Sequence, residues 1–380
     1  MPISTANFYT VNHAKHSVKT IGILGGGQLG LMLAQSALPL GIRCVFLEDV
    51  PNCPARLLGK VYSTEQLDDF ADACDVFSLE FENTPLSSAK FLEEKTGLFP
   101  PSQALFITQD RLKEKHLFKT LNIKTVPFVA VSTKHDVKNA CDTLGLPLVL
   151  KTTRGGYDGK GQFVIKTVQD IDTAWTQLGD ATTTAPLIAE QFVNFDREVS
   201  IIAVRSQFGE IRYYPLVENE HRNGILAKTT APASNVEQLA DQAQDNIKKL
   251  LEHLNYVGVL TLELFVTSDG LIANEIAPRV HNSGHWSIEG AVCSQFENHM
   301  RAVAGLPLGD TRIVKPSVML NVIGKYPNLT QILALDGVHY HGYDKQENAG
   351  RKIAHITIMP TDTDKLNETV AKVEALLNSD

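Results

Sequence analysis

The sequence predicts a chain of two fold classes, an α/β unit first and α+β units after it. Three observations lead there: a strand–helix–strand opening over residues 20–48, a glycine-dense loop directly after an apolar strand at 146–162, and an apolar hairpin at 257–276. Parallel strands with a crossover helix need the first arrangement, and hairpins need only short turns.

Thr20-Ile21-Gly22-Ile23-Leu24 reads as a strand running into the turn Gly25-Gly26-Gly27, Leu29 to Leu38 has the pattern of a short helix, and Cys44-Val45-Phe46-Leu47-Glu48 is a second strand. Val76-Phe77-Ser78-Leu79-Glu80-Phe81 adds a further strand, and Phe99-Pro100-Pro101-Ser102 punctuates the end of the unit. A charged helix starts at Gln109-Asp110-Arg111. From Val126 a smaller α+β unit extends to Val193, and a larger mixed unit follows with strands at 198–204, 257–266 and 271–276. The expected division is an arm at 1–19, then domains at 20–127, 128–193 and 194–380.

The chain's 380 residues exceed one ordinary core, which agrees with several domains. With 43% hydrophobic and 21% charged residues and no apolar run long enough to span a bilayer, the composition is that of a globular protein outside the membrane. Net charge −8 argues against nucleic acid or an anionic membrane as partner, so clustered basic residues are expected to serve a small anion. Cys44, Cys53, Cys74, Cys141 and Cys293 are scattered, which suits reduced thiols in the cytoplasm and neither a zinc site nor a disulfide frame. Residues 1–19 lack the apolar core of a signal peptide.

Lys151-Thr152-Thr153-Arg154-Gly155-Gly156-Tyr157-Asp158-Gly159-Lys160-Gly161-Gln162 is the most informative stretch. Four glycines fall within residues 155–161, more than a turn needs. They let the backbone turn its N–H groups toward phosphate oxygens while the cations neutralise charge.

Gly25-Gly26-Gly27-Gln28-Leu29-Gly30 satisfies the G-x-G-x-x-G fingerprint of a Rossmann-like dinucleotide site, with Glu48 placed for a ribose hydroxyl. The motif alone is weak, because any tight turn bringing an anion to a helix start selects glycines. Nothing downstream resembles a hydride-transfer site.

A hairpin centred on Asp269 would pair Thr267 with Leu271, Phe265 with Ala273, and Glu263 with Glu275, and a one-residue change of turn would make the two acids diagonal neighbours still within reach of one ion. Two facing acids among apolar neighbours need a cation between them, and oxygen ligands beside a nucleotide point to Mg²⁺. Glu190-Gln191-Phe192-Val193 and Glu198 lie at a domain junction where backbone groups can read an adenine edge and a carboxylate can bind a ribose. Arg279, His281, Asn282, Ser283 and His285 suit a phosphorylated polar substrate, and Gly350-Arg351-Lys352 adds two cations.

Taken together, Gly25 to Gly30, Glu80-Phe81-Glu82-Asn83, Gln109-Asp110-Arg111, Gly155 to Gln162, Asn274 to Arg279, His281 to Trp286 and Gly350-Arg351-Lys352 resemble the N5-carboxyaminoimidazole ribonucleotide synthase family of the ATP-grasp superfamily. The likeness runs in order from about residue 20 to 360. It implies an ATP-grasp fold behind a Rossmann-like pre-ATP-grasp domain, and ATP-dependent carboxylation of 5-aminoimidazole ribonucleotide by bicarbonate through carboxyphosphate. It also implies a homodimer.

Residue by residue, the resemblance places Arg111, Lys151, Gly156, Tyr157, Asp158, Gly159, Lys160, Gly161, Gln162, Glu190, Gln191, Phe192, Val193, Glu198, His221, Asn274 and Glu275 around ATP, with Mg²⁺ on Glu263 and Glu275. Tyr157, Asp158, Lys160, Arg279, His281, Asn282, Ser283, Arg351 and Lys352 surround the ribonucleotide, with Gln28 and Glu82 beside them. Asp158, Lys352 and Arg279 are the expected catalytic set. Two departures stand out: Ala354 before His355, where the family usually has glycine, and Asn348-Ala349 before Gly350, where an arginine is common. The rival reading is another ATP-grasp carboxylate–amine ligase, which would not need bicarbonate.

Overall fold

The computed structural model describes residues 18–156 and 161–378. Three sheets organise them. The first is parallel, in the order Val61–Tyr62, Arg43–Leu47, Thr20–Leu24, Val76–Leu79. Thr20–Leu24 is buried along its whole length, as a strand flanked on both sides must be. Gln28–Ala37 is the helix expected from Leu29, started one residue earlier and followed by a 3₁₀ turn at Leu38–Leu40.

The second sheet is antiparallel, in the order Phe128–Val131, Leu187–Gln191, Leu148–Thr152, Gln162–Ile165. Helices Lys134–Leu144 and Ile171–Leu178 share its core through Val137, Ala140, Ala174 and Leu178.

The third sheet has nine strands among the described residues. Its main path runs Gly270–Ala277, Gly258–Thr267, Arg197–Arg205, Val217–Arg222, Ile225–Ala231, Ser317–Ile323, Lys352–Ile358, Val338–Gly342. Helix Glu237–His253 packs on one side of its first strands through Ile247, Leu250 and Leu251. Helix Gln295–Val303 shares a core with helix Gln28–Ala37, which joins the first unit to the third. The last helix, Leu366–Leu377, covers Val318, Leu320, Ile356 and Ile358. Ala354 lies in that same cluster, on the opposite face of its strand from His355, so the first departure from the family pattern is a packing position.

The hairpin differs from expectation in its turn. Thr267 pairs with Gly270, not Leu271, and Phe265 with Ile272, not Ala273, so the tip is a two-residue turn at Ser268 and Asp269. That register alone would put Asn274 opposite Glu263 and send Glu275 to the core face with Leu271 and Ala273. A bulge at Asn274 corrects it, and Glu263 pairs with Glu275 after all.

All five cysteines are free and buried. Among the described residues no helix is long and apolar enough to cross a membrane.

Candidate active site

Glu263 and Glu275 are direct cross-strand partners, and each carboxylate faces a basic side chain. His281 Nε2 lies 2.9 Å from Glu263 Oε1, and Arg111 Nη1 lies 3.0 Å from Glu275 Oε2. Burial would raise the Glu263 carboxyl, but the hydrogen bond from His281 holds it below its ordinary value. The described residues contain no cluster of three or more ligating side chains, so the protein would give a cation two carboxylates and leave other positions to a ligand. That donor set fits Mg²⁺, which commonly takes one or two carboxylates plus phosphate oxygens and water.

The bulge is held from behind by a residue the sequence did not single out. Lys115 is 1% exposed, and its Nζ donates to Asn274 O at 2.8 Å and to Thr125 Oγ1 at 3.2 Å. It also lies 3.5 Å from Glu190 Oε1, while Lys151 Nζ bonds Glu190 Oε2. Burial would raise the Glu190 carboxyl, but Lys115 and Lys151 bring it down to about 2. At 3.5 Å the Lys115 contact is an ion pair without hydrogen-bond geometry, so Glu190 Oε1 is buried with an acceptor position open. Its neighbour Glu114 accepts from the Ile276 N–H, and burial together with the Glu275 charge pushes its carboxyl up to about 8.

At the junction, the N–H groups of Gln191 and Phe192 bond Pro127 O and Pro147 O, so an adenine edge would be read by the remaining backbone groups of 190–193. Phe192 is half-exposed there, and Phe195 stacks on Phe265 at 4.5 Å. His221 Nδ1 lies 3.1 Å from Glu198 Oε2 at the same edge.

The neck of the glycine-rich loop is built from both ends. Thr152 N bonds Gly161 O at 2.8 Å, Arg111 N bonds Thr153 O, and Arg111 Nη2 donates to Gly156 O at 3.3 Å. Gly161 has φ +72°, and a Cβ there would meet Thr152 Oγ1 at 2.6 Å. Lys151 and Gln162 are opposed at the strand ends. Tyr157, Asp158, Gly159 and Lys160 lie outside the described residues.

On the other side of Glu263, Arg279 forms a two-pronged pair with Glu82, Nη2 to Oε1 being 2.9 Å. Burial would raise the Glu82 carboxyl, but the Arg279 charge and hydrogen bonds bring it down to about 2. Asn282 Oδ1 accepts from His285 Nδ1 at 2.7 Å, leaving the buried Asn282 Nδ2 without a partner. Ser283 is not presented to the cleft: its hydroxyl is buried between Ser200 Oγ and His281 Nδ1. Gln28 Oε1 accepts from Lys345 Nζ, and Lys345 and Arg351 line a cavity of about 710 Å³ with Gly27 and Arg56. The cavity therefore belongs to this side and not to the Glu263–Glu275 pair. Lys352 begins the adjoining strand, after a turn in which Arg351 N bonds Asn348 O and Gly350 takes φ +76°.

The dinucleotide fingerprint has a different occupant. Gly27 N and Gly30 N donate to Glu80 at 2.7 and 3.2 Å, and Gly26 N donates to Glu48 Oε2 at 3.2 Å. A Cβ on Gly27 would meet Glu80 Oε1 at 2.7 Å. An internal carboxylate thus takes the helix start where a pyrophosphate would sit.

Two antiparallel sheets, a pair of opposed acids on one of them and the strand that leads into the glycine-rich stretch on the other define an ATP-grasp enzyme. Residues 116–296 match the family model of the ATP-grasp domain, residues 18–109 that of the ribonucleotide synthetase preATP-grasp domain, and residues 317–369 that of the phosphoribosylaminoimidazole carboxylase C-terminal domain. The chain belongs to the N5-carboxyaminoimidazole ribonucleotide synthase family. It is 46% identical over 364 residues to the synthase of Pseudomonas aeruginosa, covering 94% of this chain and 99% of that protein. To the synthase of Brucella melitensis it is 44% identical, covering 89% and 95%. The crystal structure of the Thermus thermophilus synthetase superposes with TM-score 0.89 at 44% identity, covering 94% and 99%. That of the Aspergillus clavatus synthase, in complex with ADP and 5-aminoimidazole ribonucleotide, superposes with TM-score 0.87 at 29% identity, covering 95% and 99%.

Proposed function

We infer that the chain catalyses the ATP-dependent conversion of 5-aminoimidazole ribonucleotide to N5-carboxyaminoimidazole ribonucleotide in purine biosynthesis. The observation that carries the inference is the His281–Glu263 contact at 2.9 Å, which joins the acid pair on the ATP side to the Arg279–Glu82 cluster on the ribonucleotide side. One cleft can therefore hold both substrates with their reacting ends together.

Bicarbonate is the proposed carbon source; its oxygen attacks the γ-phosphate, the bond to the β-phosphate oxygen breaks, and carboxyphosphate and ADP result. Mg²⁺ held by Glu263 and Glu275 would neutralise charge on the phosphates. Arg111 and Lys151 orient the nucleotide, and Glu190 holds Lys151 in place beside it. Glu198 and His221 take the ribose, with Gln191, Phe192, Val193 and Asn274 lining the base. The glycine-rich stretch 156–162 supplies backbone N–H groups to the phosphates, and water has to be kept from an acyl phosphate that it would destroy. Arg279, His281 and Asn282 hold the ribonucleotide, with Gln28 and Glu82 beside them. Arg351, joined by Lys345, takes its phosphate. Asp158 receives the amine proton as the N–C bond forms and the C–O bond to inorganic phosphate breaks, and Lys352 orients the new carboxylate. A homodimer in a cytoplasmic setting completes the proposal.

Phosphate release from ATP, measured with bicarbonate and aminoimidazole ribonucleotide each added and omitted, tests it. Turnover should need both. Turnover without bicarbonate would point to a different carboxylate–amine ligase, and ATP binding without phosphate release would remove the enzyme reading.

A further inference from the structure

Behind His281 a file of buried polar side chains crosses the nine-stranded sheet. Thr229 Oγ1 donates to Asn219 Oδ1 at 3.0 Å, and Asn219 Nδ2 donates to Ser200 Oγ at 3.0 Å. Ser200 Oγ and Ser283 Oγ are 2.7 Å apart, Ser283 Oγ and His281 Nδ1 2.8 Å, and His281 Nε2 meets Glu263 Oε1 at 2.9 Å. The sheet builds this line directly, since Glu263 is the cross-strand partner of Ser200, and Asn219 that of Thr229. Ser200, Thr229 and Ser283 have no exposure and Asn219 only 6%, so water does not compete for these bonds.

The direction of every proton in the file is fixed from its ends. The backbone N–H of Ser283 points at His281 Nδ1 from 3.3 Å, and a peptide N–H can only donate. Nδ1 therefore presents its lone pair. Nε2 then carries the hydrogen, as the carboxylate beside it requires. With Nδ1 an acceptor, the Ser283 hydroxyl donates to it, Ser200 donates to Ser283, Asn219 donates to Ser200 through its amide, and Thr229 donates to the Asn219 carbonyl. One hydroxyl reversed anywhere would leave two donors or two acceptors facing each other.

We propose that Ser200, Asn219 and Thr229 are positioning residues for this enzyme, setting His281 as the Nε2–H tautomer so that it holds the Glu263 carboxylate toward Glu275. None of the three reaches the cleft; they act through Ser283 and His281. The catalytic consequence rests on the proposed roles of Glu263 and His281, whereas the tautomer does not depend on them. Changes to groups that orient a ligating side chain typically cost 10–100-fold in metal affinity or activity, about that size here.

The test is imidazole ¹⁵N NMR of His281 in the protein free of Mg²⁺ and nucleotide, joined to steady-state kinetics. The unmodified protein should show a pyridine-type Nδ1 and a pyrrole-type Nε2; the opposite tautomer would overturn the proposal without any variant. Ser200→Ala breaks the file, and Thr229→Val removes its first donor at nearly constant volume. Asn219→Asp replaces the amide donor with an acceptor and should turn the file around, moving the hydrogen toward Nδ1. Each folded variant should lose the pure Nε2–H signature, with kcat/KM for the ribonucleotide lower by about 10–100-fold, and Ser200→Thr should restore both. Activity lost with the His281 signals unchanged, or signals changed with kcat/KM intact, would overturn the positioning role. Failure of the bicarbonate requirement would leave the tautomer result standing and so mark the function, not the file, as wrong.

Discussion

Lys115 donates to the carbonyl oxygen of Asn274, the one residue that bulges from the strand between Ala273 and Glu275. A lysine buried to 1% exposure is stable only when its donors are satisfied, and here Asn274, Thr125 and Glu190 surround it. The lysine fixes the bulge, and the bulge turns Glu275 to face Glu263. Lys115→Met should therefore cost roughly 3–5 kcal/mol of stability, because Glu190 loses one of its two cations. It should also weaken ATP binding beyond what the stability loss explains. Urea denaturation and calorimetric titration with ATP check both; unchanged values would remove Lys115 from the site's framework.

Glu275→Gln removes one of the two opposed carboxylates and the charge that pairs with Arg111. Phosphate release should fall by about 10²-fold or more, the scale for losing a charged group that acts in the transition state. Raising Mg²⁺ should recover part of the rate. Full activity at ordinary Mg²⁺ would take Glu275 out of the metal role.

The Glu82 carboxyl sits at about 2 in the folded protein against an ordinary 4.5. Folding thus favours its charged form, and the Arg279 pair contributes stability that is complete above the unfolded value and is lost as pH falls from there through about 2. Glu82→Gln should lower stability at neutral pH by about 3 kcal/mol and flatten its decline across that acid window. Denaturation curves at pH 7, 4 and 3 provide the comparison.

Lys345 behaves in the opposite sense. Burial and the nearby Arg351 bring its ammonium down to about 8, so its charge is lost as pH rises through that value. If it binds the ribonucleotide phosphate, kcat/KM for that substrate should fall above about pH 8. Lys345→Arg should move the fall to higher pH. A profile identical in both proteins would exclude the contact.

Gly161→Ala forces a Cβ onto Thr152 Oγ1 at a residue with φ +72°. The cost of about 1–2 kcal/mol falls on the loop neck, where Thr152 N bonds Gly161 O. Global melting should change little, while KM for ATP rises several-fold. A large drop in melting temperature would show that the neck belongs to the core instead.

Much of this was legible in the chain because it depends on local pattern. The β-α-β opening, the strand before the glycine-rich loop and the two acids all follow from period, turn residues and burial. The hairpin tip is one residue shorter than the pattern around Asp269 predicts, and the pairing of Glu263 with Glu275 comes through a bulge that no hairpin rule supplies. By sequence Lys115 is one more charge on a basic helix, and only the fold reveals that Asn274 and Glu190 converge on it. Ser283 sat correctly in a functional stretch, but its burial between Ser200 and His281 is a product of strands far apart in sequence.

Glu80 at the glycine turn has a consequence for ligand choice across the N-terminal domain. With its carboxyl group already seated on Gly27 N and Gly30 N, a diphosphate arriving there would find both donors taken and Glu80 oxygens in its place. The domain is thereby closed to NAD-like molecules while keeping every glycine that advertises them. In other chains carrying the same turn, a buried acid at the end of the neighbouring strand should mark a helix start that is satisfied from within and closed to soluble cofactors.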